Sequence, residues 1–143
     1  MNGENKRKHL EFIQNIITRM SGNLFFLRGW TITLITGLFA LSTTKGTYDG
    51  YILLAYFLLA IFWILDGYFL SQERRFRRLY DDVRKLDEDK IDFSMDTRKY
   101  KKDWWKSKNW HNTWMGSMLS LTLLWFYIPL GIAMAVVQYL INK

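Results

Sequence analysis

Two residues of opposite charge stand inside otherwise apolar sequence: Arg28, in LFFLRGWTITLITGLFALSTT, and Asp66, in YILLAYFLLAIFWILDGYFL. An acid and a base so placed can pair and clamp two segments together, form part of an ion path or gate, or snorkel separately to polar headgroups. If both segments cross a bilayer as neighbours, Asp66 lies five residues from the charged end of its run, about 7 Å deep, and Arg28 lies about four residues in from the same side. The depths match. An unpaired charge there would cost about 2.5–3.5 kcal/mol on insertion scales, less near the interface, and pairing reduces that cost.

After Asp66 and GYFL comes SQERRFRRLYDDVRKL, with Arg74, Arg75, Arg77 and Arg78 within five positions. Such a cluster beside an apolar run can end a membrane span and meet anionic headgroups, or it can hold a partner protein. A nucleic-acid site would interleave its bases with accessible aromatics or belong to a known module, and neither pattern is present, so no nucleic acid is expected. Lys101 and Lys102 repeat the same headgroup or partner signal further on. Trp104, Trp105, Trp110 and Trp114 crowd the approach to the last apolar run among these lysines, and Trp30 stands near the start of the first. Tryptophans at such positions are interfacial anchors.

Other chemistry is absent from the pattern. The acidic phrase DEDKID invites a calcium reading, but a loop counted from Asp87 has Asp92 where an EF-hand needs Gly and Arg98 where it needs Glu. A solvated turn is expected there, with Ser94 or Asp96 as a helix cap beyond it. His9 and His111 stand far apart. No phosphate-binding glycine loop, nucleophile elbow or zinc-protease motif occurs. With no cysteine in the chain, disulfides and thiolate sites are excluded. No metal, no cofactor and no enzymatic activity are expected.

The elements that must position these residues follow from hydropathy. Of 143 residues half are apolar and 17% aromatic, with a net charge of +7, while the mean hydropathy is close to neutral. Apolar and charged residues must therefore be segregated. A bilayer core of about 30 Å needs about 20 helical residues, and three runs meet that length: about 24–44, 51–71 and 114–141. The fold expected is an all-α membrane protein of one domain, with three transmembrane helices. An N-terminal amphipathic helix, with Leu10, Ile13, Ile17, Met20, Leu24 and Leu27 on one stripe, leads into the first span. It either lies on the membrane or packs on a partner helix. A helical cytoplasmic insert, about 72–111, joins spans two and three, and its Phe76, Leu79, Tyr80, Val83 and Leu86 continue span two as a stripe.

Orientation follows from the bases. Lys6, Arg7, Lys8 and Arg19 precede the first run, KGTYDG joins the first to the second, and Glu73 to Lys108 holds thirteen bases. The positive-inside rule places the N-terminus and the insert in the cytoplasm, with the short turn and Lys143 outside. Met1 to Gln14 has no early apolar core and no small-residue cleavage site, so no removable signal peptide is expected. Gly116 and Ser120 form a small-xxx-small pair suited to close helix packing, and Pro129, followed by Gly131, is a kink or hinge in span three. Three spans bury little surface, so a homo-oligomer is expected.

Three phrases carry a resemblance: RMSGNLFFLRGW at Arg19–Trp30, QERRFRRLYDDVR at Gln72–Arg84 and DFSMDTRKY at Asp92–Tyr100. Together they resemble small uncharacterised bacterial multi-pass membrane proteins found near antiphage defence genes, including TIR-like and nucleotide-signalling partners. The resemblance implies a membrane-disrupting or pore-forming effector of the bacterial inner membrane, triggered through its cytoplasmic segment by a signalling protein or small molecule. The alternative is a non-conducting anchor or adaptor that holds a cytoplasmic protein at the membrane.

Overall fold

The computed structural model describes residues 3–42, 50–100 and 113–141. Four α-helices carry the fold: α1 (Glu4–Ser42), α2 (Gly50–Val83), α3 (Trp114–Met118) and α4 (Leu121–Ile141). There is no strand among the described residues. Helices α1, α2 and α4 are each long and apolar enough to cross a membrane.

The N-terminal amphipathic helix and the first apolar run are one helix of 39 residues, about 58 Å long. Its buried positions, His9, Ile13, Ile17, Leu24, Thr31, Ile35, Phe39 and Ser42, return every three, four or seven residues. That spacing keeps a single face toward the neighbour from one end to the other. Nothing in between stops the helix. Gly22 and Gly29 face open space and only weaken the helix locally.

Helix α2 runs antiparallel along that face. Ile35 and Phe39 pack with Ile52 and Ala55, Leu24 packs with Leu70, and Ile13 and Ile17 pack with Leu79 and Val83. The question whether the N-terminal stripe lies on a membrane or on a helix is thereby answered by contact: it packs on the charged extension of α2. That extension ends at Val83.

The insert departs from the expected helix beyond this point. Residues 84–100 are turns and extended chain, with 3-10 turns at Glu88–Lys90 and Arg98–Tyr100. Short polar side chains here take backbone amides that a helix would use. Asp92 accepts from the Ser94 amide at 2.9 Å, Ser94 from the Asp96 amide at 3.4 Å, and Asp96 from the Arg98 amide at 2.8 Å. Asp96 thus opens a 3-10 turn and not an α-helix.

The third apolar run is also divided. Thr113 caps α3 by accepting from the Gly116 amide at 3.1 Å, and the helix ends at Met118 with Leu119 at φ −90°, ψ 10°. The Trp63 indole donates to the Met118 carbonyl at 3.0 Å, the acceptor that a continuing helix would offer to Thr122. Helix α4 then starts at Leu121 and runs through Pro129. The third run is thus broken at Leu119–Ser120, a break not expected from the sequence.

Candidate functional site

The residues that carry chemistry converge where α1, α2 and α4 meet. The Arg28 Nε donates to Asp66 Oδ2 at 2.8 Å and its Nη2 donates to Oδ1 at 3.3 Å. The Asp66 side chain is fully buried, whereas Arg28 keeps 26% of its side-chain surface exposed. One-residue errors in either helix would rotate one partner by 100°, so the antiparallel register of the Leu24–Leu70 layer is what aligns them. Two-point contact between a planar guanidinium and a carboxylate fixes direction as well as distance.

Helix α4 closes the site. The Arg28 guanidinium lies 5.6 Å from the Phe126 ring centre, and the Tyr127 ring stacks on Trp63 at 6.1 Å. The Tyr127 hydroxyl is buried and lies close enough to Asp66, Thr31 and Arg28 to feel their charge and dipole, yet it makes no hydrogen bond of good geometry. Thr31, fully buried, turns its own hydroxyl to the Leu27 carbonyl at 2.8 Å. Gly67, next to Asp66, is required by close approach: a Cβ there would collide with the Met118 side chain and sit 3.3 Å from its Cα.

A second constellation lies at the charged end. Glu88, expected in a solvated turn, reaches back across the chain to the start of α1. Its carboxylate accepts from the Asn5 amide at 2.8 Å and the Lys6 amide at 3.3 Å. A carboxylate at a helix N-terminus satisfies otherwise unpartnered amides and complements the helix dipole. Lys6 Nζ donates to the Leu86 carbonyl at 2.8 Å, and buried His9 contacts the Ser94 carbonyl through Nε2 at 3.2 Å. Phe93 is held in the left-handed region at φ 55°, with its ring against both His9 and Phe12. On the other side, Tyr100 donates to Asp82 at 2.5 Å. Burial, and then that hydrogen bond, push the Tyr100 hydroxyl above its ordinary value. Hydrogen bonds from Arg98 hold the Asp96 carboxyl down at about 2.

The arginine cluster does not act as one patch. Arg77 pairs with the nearly buried Glu73 at 2.6 Å, and Arg74 donates to Ser117 Oγ at 3.4 Å. Arg75 is buried with its Nε unpartnered among the described residues, and Arg78 is half-buried. Gly116 and Ser120 are both buried, in the α3 region that packs on α2 of the same chain. Trp30 is exposed on α1, while Trp114, also exposed, donates its indole N–H to the Ile64 carbonyl at 3.1 Å. Lys101, Lys102, Trp104, Trp105 and Trp110 lie outside the described residues.

Tyr127, Thr31 and Trp63 were missed as site residues because each reads as an ordinary member of an apolar run. The available signal was that a polar tip on a buried aromatic wants a partner. Glu88 and His9 were missed because their partners lie 82–85 residues away. Among the described residues no group of His, Asp or Glu is arranged to hold a metal ion. Comparison with models of known families, with curated proteins and with solved structures finds no match for this chain.

Proposed function

We propose that the chain is a non-conducting multi-pass anchor of the bacterial cell membrane, presenting a folded, basic cytoplasmic end to a partner protein. The observation that carries this reading is the closure of the polar residues inside the spans. Asp66 is buried against Arg28 under Phe126 and Tyr127. The hydroxyls of Thr31, Thr33 and Ser42 turn back to the carbonyls of Leu27, Gly29 and Phe39 on their own helix. A water-filled path needs polar groups that face a lumen, and these face their own backbone. The outward residues fit lipid: Phe25, Leu53, Phe57, Leu121, Trp125 and Ile132 are all exposed. The positive-inside rule supports a cytoplasmic charged end. The resemblance of three phrases to defence-associated membrane proteins supports a cytoplasmic signalling protein as the partner.

A second reading, an oligomeric membrane-disrupting effector, is the one that the resemblance implies, and one structural feature favours it. Helix α1 runs without a break from the Glu88 clamp at Asn5 to Arg28, so a rotation at one end reaches the other. Membrane potential in bacteria expressing the wild type and Asp66→Asn decides between them. The anchor leaves the potential unchanged in both strains, with the protein inserted, and with or without co-expression of the proteins encoded beside it. Depolarisation by the wild type that weakens in Asp66→Asn at equal membrane levels would move the assignment to the effector.

A further inference from the structure

Asp66 has one donor in use and a second beside it. Arg28, from α1, donates to both carboxylate oxygens. Tyr127, from α4, is 3% exposed. Its hydroxyl lies near Asp66, Thr31 and Arg28 without a hydrogen bond of good geometry among the described residues. Packing places it there. The Tyr127 ring stacks on Trp63 at 6.1 Å and meets the Phe126 ring edge-on at 4.9 Å, and it belongs to the cluster of Leu24, Leu70 and Leu123. A phenylalanine would make the same contacts without burying a polar tip, so the orphaned hydroxyl calls for a reason.

The neighbouring donors are committed. The Thr31 hydroxyl donates to the Leu27 carbonyl and the Trp63 indole to the Met118 carbonyl. Of the three, Tyr127 alone keeps a free O–H. Asp66 has capacity for it: an ionised carboxylate offers about four lone-pair sites, and Arg28 fills two. What withholds the bond is direction. The guanidinium fork fixes the plane of the carboxylate, whereas the terminal torsion of an Asp side chain is otherwise broad and costs little to turn.

Arg28 is the movable partner. Its side chain keeps 26% of its surface exposed, while that of Asp66 is fully buried, and it borders an open cavity of about 420 Å³ beside Leu24 and Phe25. A long basic side chain can turn its head toward polar surroundings while its stem stays on apolar surface. With Arg28 turned away, the carboxylate is free to rotate onto the donor that remains.

We propose that Asp66 is held in turn by two donors, Arg28 on α1 and the Tyr127 hydroxyl on α4, so that the clamp has two states. In the first, Asp66 ties α2 to α1. In the second it ties α2 to α4, and α1 loses its charged tie at this level. Asp66 stays covered in both. The proposal goes beyond the anchor reading and rests on contacts within the chain.

A double-mutant cycle on the full chain, unfolded reversibly in detergent micelles, tests it. Tyr127→Phe in the wild type leaves the folding equilibrium unchanged or improves it, because it removes an unbonded hydroxyl. In Arg28→Leu the same change lowers the equilibrium constant by about tenfold or more, the worth of a hydrogen bond to a charged group. In Arg28→Leu/Asp66→Leu that cost disappears with the acceptor. Equal effects of Tyr127→Phe in the wild type and in Arg28→Leu overturn the proposal. A cost that persists without Asp66 overturns it too, and gives the hydroxyl to Thr31. A second measurement serves if Arg28→Leu does not fold. In a chain carrying carbon-labelled tyrosine, the Tyr127 ring resonance is assigned by its loss in Tyr127→Phe. It shifts between the wild type and Arg28→Lys, whose ammonium cannot hold the carboxylate as a fork. A Tyr127 resonance that does not move overturns the proposal.

Discussion

Around Ile13 the α1–α2 seam is wrapped by other chain: Ile91, Met95 and Tyr100 from the 84–100 segment cover it, and Glu88, Lys6 and His9 bind that segment to α1. Around Thr31 the same two helices are covered by α4, and the charged contact is one buried ion pair. The charged end is thus bound chiefly by long-range hydrogen bonds to backbone. The apolar end is bound by packing, the buried ion pair and a few aromatic donors: Trp63 to the Met118 carbonyl, Trp114 to the Ile64 carbonyl and Tyr56 to Gln138. The difference follows the solvent each end is built for. In water, burying Ile13 and Leu79 drives association at about 25 cal/mol per Å². In lipid that driving force vanishes, because acyl chains are as apolar as leucine, and close packing and polar pairs must hold the helices.

Removing one member of the clamp sharpens this contrast most. Asp66→Leu strands Arg28 against the buried layer and should lower stability by about 3–5 kcal/mol. Thermal unfolding in detergent micelles measures it, and the double change Arg28→Leu/Asp66→Leu should recover most of the loss. A double variant as unstable as the single one would mean that the two charges do not act as a pair.

Paired cavity variants come next. Ile13 and Leu123 are both fully buried. At the charged end Ile13→Ala should cost about 2–4 kcal/mol. Leu123→Ala should cost clearly less in lipid bicelles, since only packing is lost there. Equal costs would break the comparison, because both ends would then be answering to water.

The clamp itself predicts a smaller, local effect. Glu88→Ala should cost about 1 kcal/mol, the worth of a helix cap, and expose the Asn5 and Lys6 amides to hydrogen exchange. The exchange of amides near Arg28 should not change. Faster exchange along all of α1 would show instead that the cap supports the whole helix.

The smallest effect is a pH dependence confined to the charged end. The Asp96 carboxyl titrates near 2 in the folded chain, below its unfolded value of about 3.9. Its contribution to local order is therefore complete above about pH 4 and is lost as pH falls through about 2. Carboxyl chemical shifts of labelled Asp96 followed through that range should give a midpoint near 2 in the wild type. A midpoint that rises part of the way toward 4 in Arg98→Gln, which keeps the backbone hydrogen bond to Asp96, would confirm the cause, while a midpoint near 4 in the wild type would remove it.

The legible part of this fold is the part written in short-range pattern. Apolar run lengths announced three spanning helices, and the stripe from Leu10 to Leu27 announced the helix that precedes the first. Arg28 and Asp66 could be set at equal depth because a short turn forces antiparallel neighbours and helical rise is constant. The arginine cluster was legible as a block of charge after an apolar run, but not as side chains engaged one by one. The contacts of Arg77 and Arg74 depend on Glu73 and Ser117, which carry no signal in isolation.

By itself, then, the sequence determined where the chain is apolar, which helices those runs form, and that Arg28 and Asp66 need one another. Each of these is a local property of hydropathy, period or charge. The tertiary structure decided that α1 is one continuous helix with a single buried face, that Glu88 caps it from the far side of the insert, and that the third run breaks at Leu119–Ser120. It also decided that Tyr127 and Trp63 close over the ion pair. These outcomes depend on hydrogen bonds and contacts between residues about 40 to 85 positions apart. Such bonds form only once the α1–α2 hairpin has set its register, and no window of neighbouring residues contains that information.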